Sequence, residues 1–183
     1  MPYDPRKAAQ TIAFFALKEG GAINVLKVVK LVYLADRESL RQRGHPIQYE
    51  ARFSMPHGPV NSTTLDYLNG FYRDDGGWSV FLCDRANNDV GLAKQNMTLE
   101  ALDELSEREI SLLEAVWSEF GDMDRYDLAE WTHDHIPEWE NPNGSSRRIP
   151  LDRMMAAVGL ERSVERAREL ESLDQASALL GHL

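Results

Sequence analysis

The stretch from Asn24 to Leu40, NVLKVVKLVYLADRESL, limits the possible folds of this chain more than any other. At 100° per residue, Val25, Leu26, Val28, Val29, Leu31, Val32, Tyr33, Ala35 and Leu40 cover an arc of roughly 220°. A helix lying on a protein surface needs only about half that width, so this one is expected to be nearly surrounded. Asn24 precedes it as an N-cap, its side-chain oxygen placed to accept from the free N–H groups of the first turn. Lys27, Lys30, Arg37 and Glu38, with Leu34 among them, fall on the narrow remaining face. Asp36 breaks the pattern by projecting into the middle of the apolar arc. A buried carboxylate without a partner costs several kcal/mol, on the order given for buried ions, so a partner is required. Arg41 and Arg52 are the candidates.

The flanking sequence supplies elements to surround that helix. Asp4-Pro5 reads as an N-cap followed by proline at the first helical position, with Ala8, Ala9, Ile12, Phe15 and Ala16 on one face and Gly20-Gly21 as the stop. After Gly44-His45-Pro46, the residues Tyr49, Ala51 and Phe53 alternate with Gln48, Glu50, Arg52 and Ser54, predicting a half-buried strand. Two prolines and a glycine in Met55 to Val60 predict an irregular loop. Ser62-Thr63-Thr64 then opens a helix carrying Leu65, Leu68 and Phe71, closed at Asp74-Asp75-Gly76-Gly77. Trp78 to Cys83 and Val90 to Ala93 read as two strands joined at Asn87-Asn88-Asp89. Ser106 and Glu109 match a capping box, followed by Ile110, Leu113, Val116, Trp117 and Phe120 on one face. A helix is expected around Arg125 to His133, a loop from Ile136 to Pro150, a short helix from Pro150 to Gly159, and an amphipathic helix from about residue 160 to the end.

These elements predict a single α+β domain over residues 1–183, mainly helical, with helices packed around the central helix (about 25–40) and a small antiparallel sheet. No apolar run exceeds Ile12 to Leu17, far too short to span a bilayer, and residues 1–7 carry no signal-peptide pattern. A lone cysteine, Cys83, rules out an internal disulfide and fits a reducing cytoplasm; within its β-prone run it reads as a small core residue. Twenty basic against thirty acidic residues give a net charge of −10, which argues against binding nucleic acid through its phosphates. The same charge suits a basic protein partner or simple solubility.

Three pieces in order, Lys27 to Ala35 as Lys-x-x-Lys-Leu-x-Tyr-x-Ala, the Gly44-x-Pro46 turn, and His57-Gly58-Pro59-Val60, resemble the Panacea-type domain family, which includes SocA-like antitoxins and phage-associated GepA-like proteins. Thr132-His133 with Pro137 and Trp139 resembles a later pattern of the same family. The resemblance covers roughly residues 5–140 and leaves the C-terminal helix (about 160–183) outside. The family usually has a tyrosine-like residue where this chain has His57. What the resemblance implies is an antitoxin that neutralises a cognate protein toxin, encoded by the adjacent gene, through direct protein–protein binding. The alternative it carries is a phage-associated regulatory adaptor that delivers a client to a protease. On this reading the partner-binding residues are Lys30, Tyr33, Asp36, His57, Gly58, Pro59, Val60 and Trp139. Tyr72, Trp78 and Trp139 are the expected exposed aromatics.

Each of these residues also has a structural reading. Asp36 suits an internal ion pair, and Tyr33 suits a core ring whose hydroxyl finds one acceptor. Gly58 and Pro59 suit a sharp change of direction between strand and helix. His133-Asp134-His135 is the only cluster with metal-ligand character, but it lacks the further ligands a zinc site needs, and His133 is expected to cap or pack against Trp139. Phosphate-binding glycine loops, a Gly-x-Ser-x-Gly elbow and His-Glu-x-x-His are absent, so neither enzyme activity nor a cofactor or metal is expected.

Overall fold

At the centre of the fold lies the helix Val25–Arg43, capped by Asn24, whose side chain accepts from the Leu26 N–H. A computed structural model of the chain describes residues 3–74 and 76–180. The elements run α1 (Pro5–Glu19), β1 (Ala22–Asn24), α2 (Val25–Arg43), β2 (Arg52–Met55), β3 (Gly58–Asn61), α3 (Ser62–Leu68), β4 (Asp89–Gly91), α4 (Glu107–Phe120), α5 (Arg125–His135), β5 (Arg147–Ile149), α6 (Leu151–Ala157) and α7 (Ser163–Leu180). Single turns of 3-10 helix form at Trp78–Val80 and Leu99–Ala101. The fold is α+β and mainly helical. No helix of the described residues is long and apolar enough to cross a membrane.

α2 touches α1, α4, α5, α6 and β3. It is enclosed even more completely than its apolar arc implies, because Lys27, Lys30 and Leu34 on the expected polar face are buried as well. Lys27 is tied to Glu19 at 2.8 Å and donates to the Gly121 carbonyl at 2.6 Å. Those partners lie at the ends of α1 and α4, so the polar stripe of α2 is covered by the helices it anchors. The ring of Tyr33 and those of Phe14 and Phe15 on α1 are fully buried in this core.

The helix starts follow their sequence signals. Asp4 accepts from the N–H groups of Arg6 and Lys7, and Gly20 ends α1 in the left-handed region at φ 101°. Ser106 and Glu109 form the reciprocal capping box of α4. Glu109 also takes Lys7 at 2.8 Å and Arg43 at 3.3 Å, joining α1, α2 and α4 through one carboxylate. Burial pushes Glu109 up, but the bonds from Lys7 and Ser106 prevail and bring its pKa to about 2.

The sheets depart from expectation in several ways. β2 is central in a three-stranded antiparallel sheet, ordered β3-β2-β5, and its buried side is the polar one. Arg52 and Ser54 point inward while Phe53 and Met55 are half-buried, because Asp36 draws Arg52 into the core. The segment Met55 to Val60 is no irregular loop: Met55 pairs with Gly58 across Pro56-His57, forming a tight β2–β3 hairpin. Within the expected loop from 136 to 150, Arg147–Ile149 forms β5 and pairs with β2. Trp78 to Cys83 coils as a 3-10 turn and a single bridge at Leu82 instead of a strand. The partner of β4 is therefore β1, with Val90 opposite Ile23. The Asn87-Asn88 turn does form, both residues taking positive φ. The same coiling buries Trp78 and leaves Cys83 exposed, reversing the expectation for each. α3 stops at Leu68, so Phe71 lies beyond it in solvent instead of on its apolar face. α7 packs on α6 through Ala167, with Val164 and Leu173 left exposed.

Candidate partner-binding face

Asp36 is the fixed point under the β2–β3 hairpin. One carboxylate oxygen accepts from the N–H groups of Ile47 at 2.9 Å and Gln48 at 2.8 Å. The other accepts from Arg52 at 2.7 Å and Asn61 at 2.8 Å. A buried carboxylate is tolerated when its lone pairs are filled in this way. Because the donors come from the chain entering β2, from β2 itself and from the end of β3, one side chain of α2 sets the position of the whole hairpin. Asn61 also donates to Glu50 at 3.2 Å, and Glu50 accepts from the Thr64 N–H at 2.8 Å and the Thr64 hydroxyl at 2.6 Å. Glu50 thereby caps α3, whose own cap residue Asn61 makes no such bond.

Three further residues of α2 hold the hairpin and the segment after α5. Lys30 donates to the Pro59 carbonyl at 2.9 Å. Its ammonium is buried, and desolvation lowers its pKa to about 7. The Tyr33 hydroxyl donates to Glu138 at 3.0 Å, and Arg37 donates to the same oxygen at 2.9 Å. Burial, and then the Glu138 charge, push the Tyr33 hydroxyl well above its ordinary range, so it remains a donor.

Gly58 sits at φ +99°, where glycine alone is free of strain. A Cβ there would overlap the Thr132 hydroxyl and come within 3.2 Å of Lys30 Cε. The hairpin is thus pressed against both α2 and α5. Trp139 closes the other side, its indole N–H donating to the Met55 carbonyl at 3.1 Å. His133 stacks on Trp139 with ring centroids 4.2 Å apart, as expected. Desolvation, with the nearby Lys30 charge second, holds His133 below its ordinary pKa.

The residues proposed for partner contact are therefore brought together in space, with unequal access to solvent. Lys30, Tyr33, Asp36, Gly58, Pro59 and Val60 are buried and support the hairpin from beneath. His57 is exposed at the tip beside exposed Pro56, and Trp139 is half-buried under His133. A partner approaching this face meets Pro56, His57, His133 and Trp139. Sequence reasoning missed Asn61 as a donor to Asp36, Glu138 as the acceptor for Tyr33, and Thr132 as the surface against Gly58. The available signals were the place of Thr132 in the Thr132-His133 pattern and the proximity of Glu138 to Trp139. Among the described residues no group of His, Cys, Asp and Glu is placed to hold a metal ion. His135 instead stacks on Trp131, with centroids 4.6 Å apart.

The family model described as "Antitoxin SocA-like, Panacea domain" matches residues 28–140, more than half of the 183 residues. The chain belongs to this family. No curated protein and no solved structure matches it. The matched span of the Panacea domain runs from α2 through the hairpin and α5 to Glu140, one residue past Trp139. It omits α1, the Panacea core's neighbour through Phe14 and Phe15, and the C-terminal α6 and α7.

Proposed function

We propose that this chain is the antitoxin of a toxin–antitoxin pair and neutralises its cognate toxin by direct binding. The observation that carries the reading is the SocA-like Panacea match over residues 28–140, because that span contains the helix, the hairpin and the Thr132–Trp139 segment that together build one face. The mechanism is occlusion by a rigid surface, with an acidic protein of net charge −10 matched to a basic toxin. No chemistry is required of the antitoxin in this mechanism, and it acts in the cytoplasm, where its toxin is made. A hairpin anchored by Asp36, Lys30 and Trp139 loses little conformational freedom on binding, which favours tight association.

The test is co-expression with the adjacent open reading frame. Arrest of growth by that product alone, and recovery when this chain is present, supports the antitoxin reading. Recovery that persists in a strain lacking the host proteases supports occlusion, whereas recovery lost in that strain replaces occlusion with delivery to a protease. A neighbour that is harmless and forms no complex with this chain overturns both.

A further inference from the structure

A second surface lies away from the hairpin, where α3 ends. There the chain fixes a backbone and leaves its aromatic side chain in water. The Phe71 N–H bonds the Asp66 carbonyl at 3.0 Å and the Gly70 N–H bonds the Tyr67 carbonyl at 3.0 Å. With Gly70 left-handed at φ +74°, this is a Schellman motif. Such a motif usually lays the residue in the position of Phe71 against an apolar residue in the helix's last turn. Here that turn offers Asp66 and the half-buried Leu65, yet Phe71 stays 75% exposed.

Its neighbour is held equally firmly. Tyr72, 50% exposed, stacks on Tyr67 at 4.9 Å, and Tyr67 stacks on Trp78 at 5.0 Å and Tyr3 at 5.8 Å. Asp74 fixes Trp78 by accepting from its N–H at 2.6 Å and from Ser79 at 3.0 Å. Arg85 bonds Asn69 at 2.7 Å and Asn88 at 2.6 Å, keeping the Asn87-Asn88 turn against the end of α3. Tyr72 is a held, half-exposed ring of the kind that usually anchors protein interfaces, since little side-chain entropy remains to be lost, and Phe71 stands beside it on a fixed backbone.

Charge decides what fits there. Asp66, Asp74 and Asp84 outnumber Arg73 and Arg85 along the same segment, and none of the three acids forms an ion pair among the described residues. Carboxylates beside aromatic faces suit guanidinium and ammonium groups, which gain from both. A second copy of this chain is disfavoured, because each copy carries a net charge of −10.

We propose that the Phe71–Tyr72 surface is a docking site for the toxin, through a segment that presents basic side chains among apolar ones. This rests on the antitoxin reading and adds to it a second contact surface, separate from the hairpin.

The test uses the full chain and the purified product of the adjacent gene. Phe71→Ser is expected to weaken the complex at least about tenfold, as loss of an interface anchor does, with an unchanged melting temperature. Phe71→Tyr should bind as the wild type does. Tyr126→Ser, which removes another exposed ring elsewhere, on α5, should leave affinity unchanged. Asp84→Lys should weaken binding at low salt, with the loss shrinking at about 0.5 M salt as charges are screened. A wild-type complex that Phe71→Ser leaves within about twofold overturns this inference and spares the antitoxin reading. Equal losses from Phe71→Ser and Tyr126→Ser overturn it as well. Absence of any wild-type complex overturns both.

Discussion

Asp36 and Lys30 stand on the same helix, both about 1% exposed, and the protein treats them in opposite ways. Asp36 receives four hydrogen bonds, including an ion pair with Arg52. Lys30 makes one hydrogen bond, to the Pro59 carbonyl, and faces no carboxylate within ion-pair distance among the described residues. The first arrangement keeps a charge in the core by surrounding it with donors. The second lowers the cost of burial by letting the charge go, since a lysine with a pKa of about 7 is half neutral near pH 7. Asp36 is thus a structural fixture of the hairpin, whereas Lys30 is a weaker latch on the same element.

The largest expected effect is at the filled site. Asp36→Ala should destabilise the protein by about 3–5 kcal/mol, because it leaves Arg52 buried without its partner. Denaturant titration checks this, and a loss below about 1 kcal/mol would place Arg52 in contact with solvent or with another acid. Tyr33→Ala should cost a similar amount, about 3–5 kcal/mol, for loss of a fully buried ring. Tyr33→Phe separates packing from the Glu138 bond, and should cost only about 1 kcal/mol.

Gly58→Val should come next. Backbone strain at φ +99° contributes about 1–3 kcal/mol, and the overlap with Thr132 adds to it. The melting temperature reports both, and pairing the change with Thr132→Ala, which removes the hydroxyl, should recover part of the loss. An unchanged melting temperature would show that the hairpin is not pressed on α5.

The smallest effect at neutral pH is expected at Lys30. Lys30→Met should leave stability unchanged or slightly raised, since an apolar side chain of similar length fills the same space. The variant differs in its pH dependence. The folded pKa is about 7 against an ordinary 10.5, so between these values the unfolded chain holds a proton that the folded chain has released. Stability of the wild type should therefore climb as pH rises from about 7 towards 10.5, relative to Lys30→Met. Below about 7 both states bind the proton, and the cost of burying the charge is present in full. Parallel curves for the two proteins would mean that Lys30 is solvated or paired.

Much of this was legible in the chain because the signals were local. Caps at Asp4, Asn24 and Ser106 act within a few residues, as does the Asn87-Asn88 turn, and each formed where expected. The need of Asp36 for an arginine followed from the cost of a lone buried charge, which held whichever arginine met it. What was not legible depended on distant partners. An alternating strand shows two faces and does not say which is inward, and at β2 the polar face went in because Asp36 waited there. The pairing of β4 with β1 and of β5 with β2 is decided by where helices place those short segments. Glu138, Asn61 and Thr132 acquire their roles only when α5 and the hairpin meet α2. The candidate site was read through a family resemblance, while its division into a buried support and a small exposed tip became visible only in three dimensions.

The central claim is that this SocA-like Panacea domain neutralises a toxin by binding it. Titration of the purified product of the adjacent gene into the purified chain, followed by calorimetry without proteases or other proteins present, tests it most directly. The account predicts a saturable complex of fixed stoichiometry that abolishes the toxin's activity in the same tube. Heat no greater than dilution, with the toxin fully active in the presence of excess chain, would contradict it.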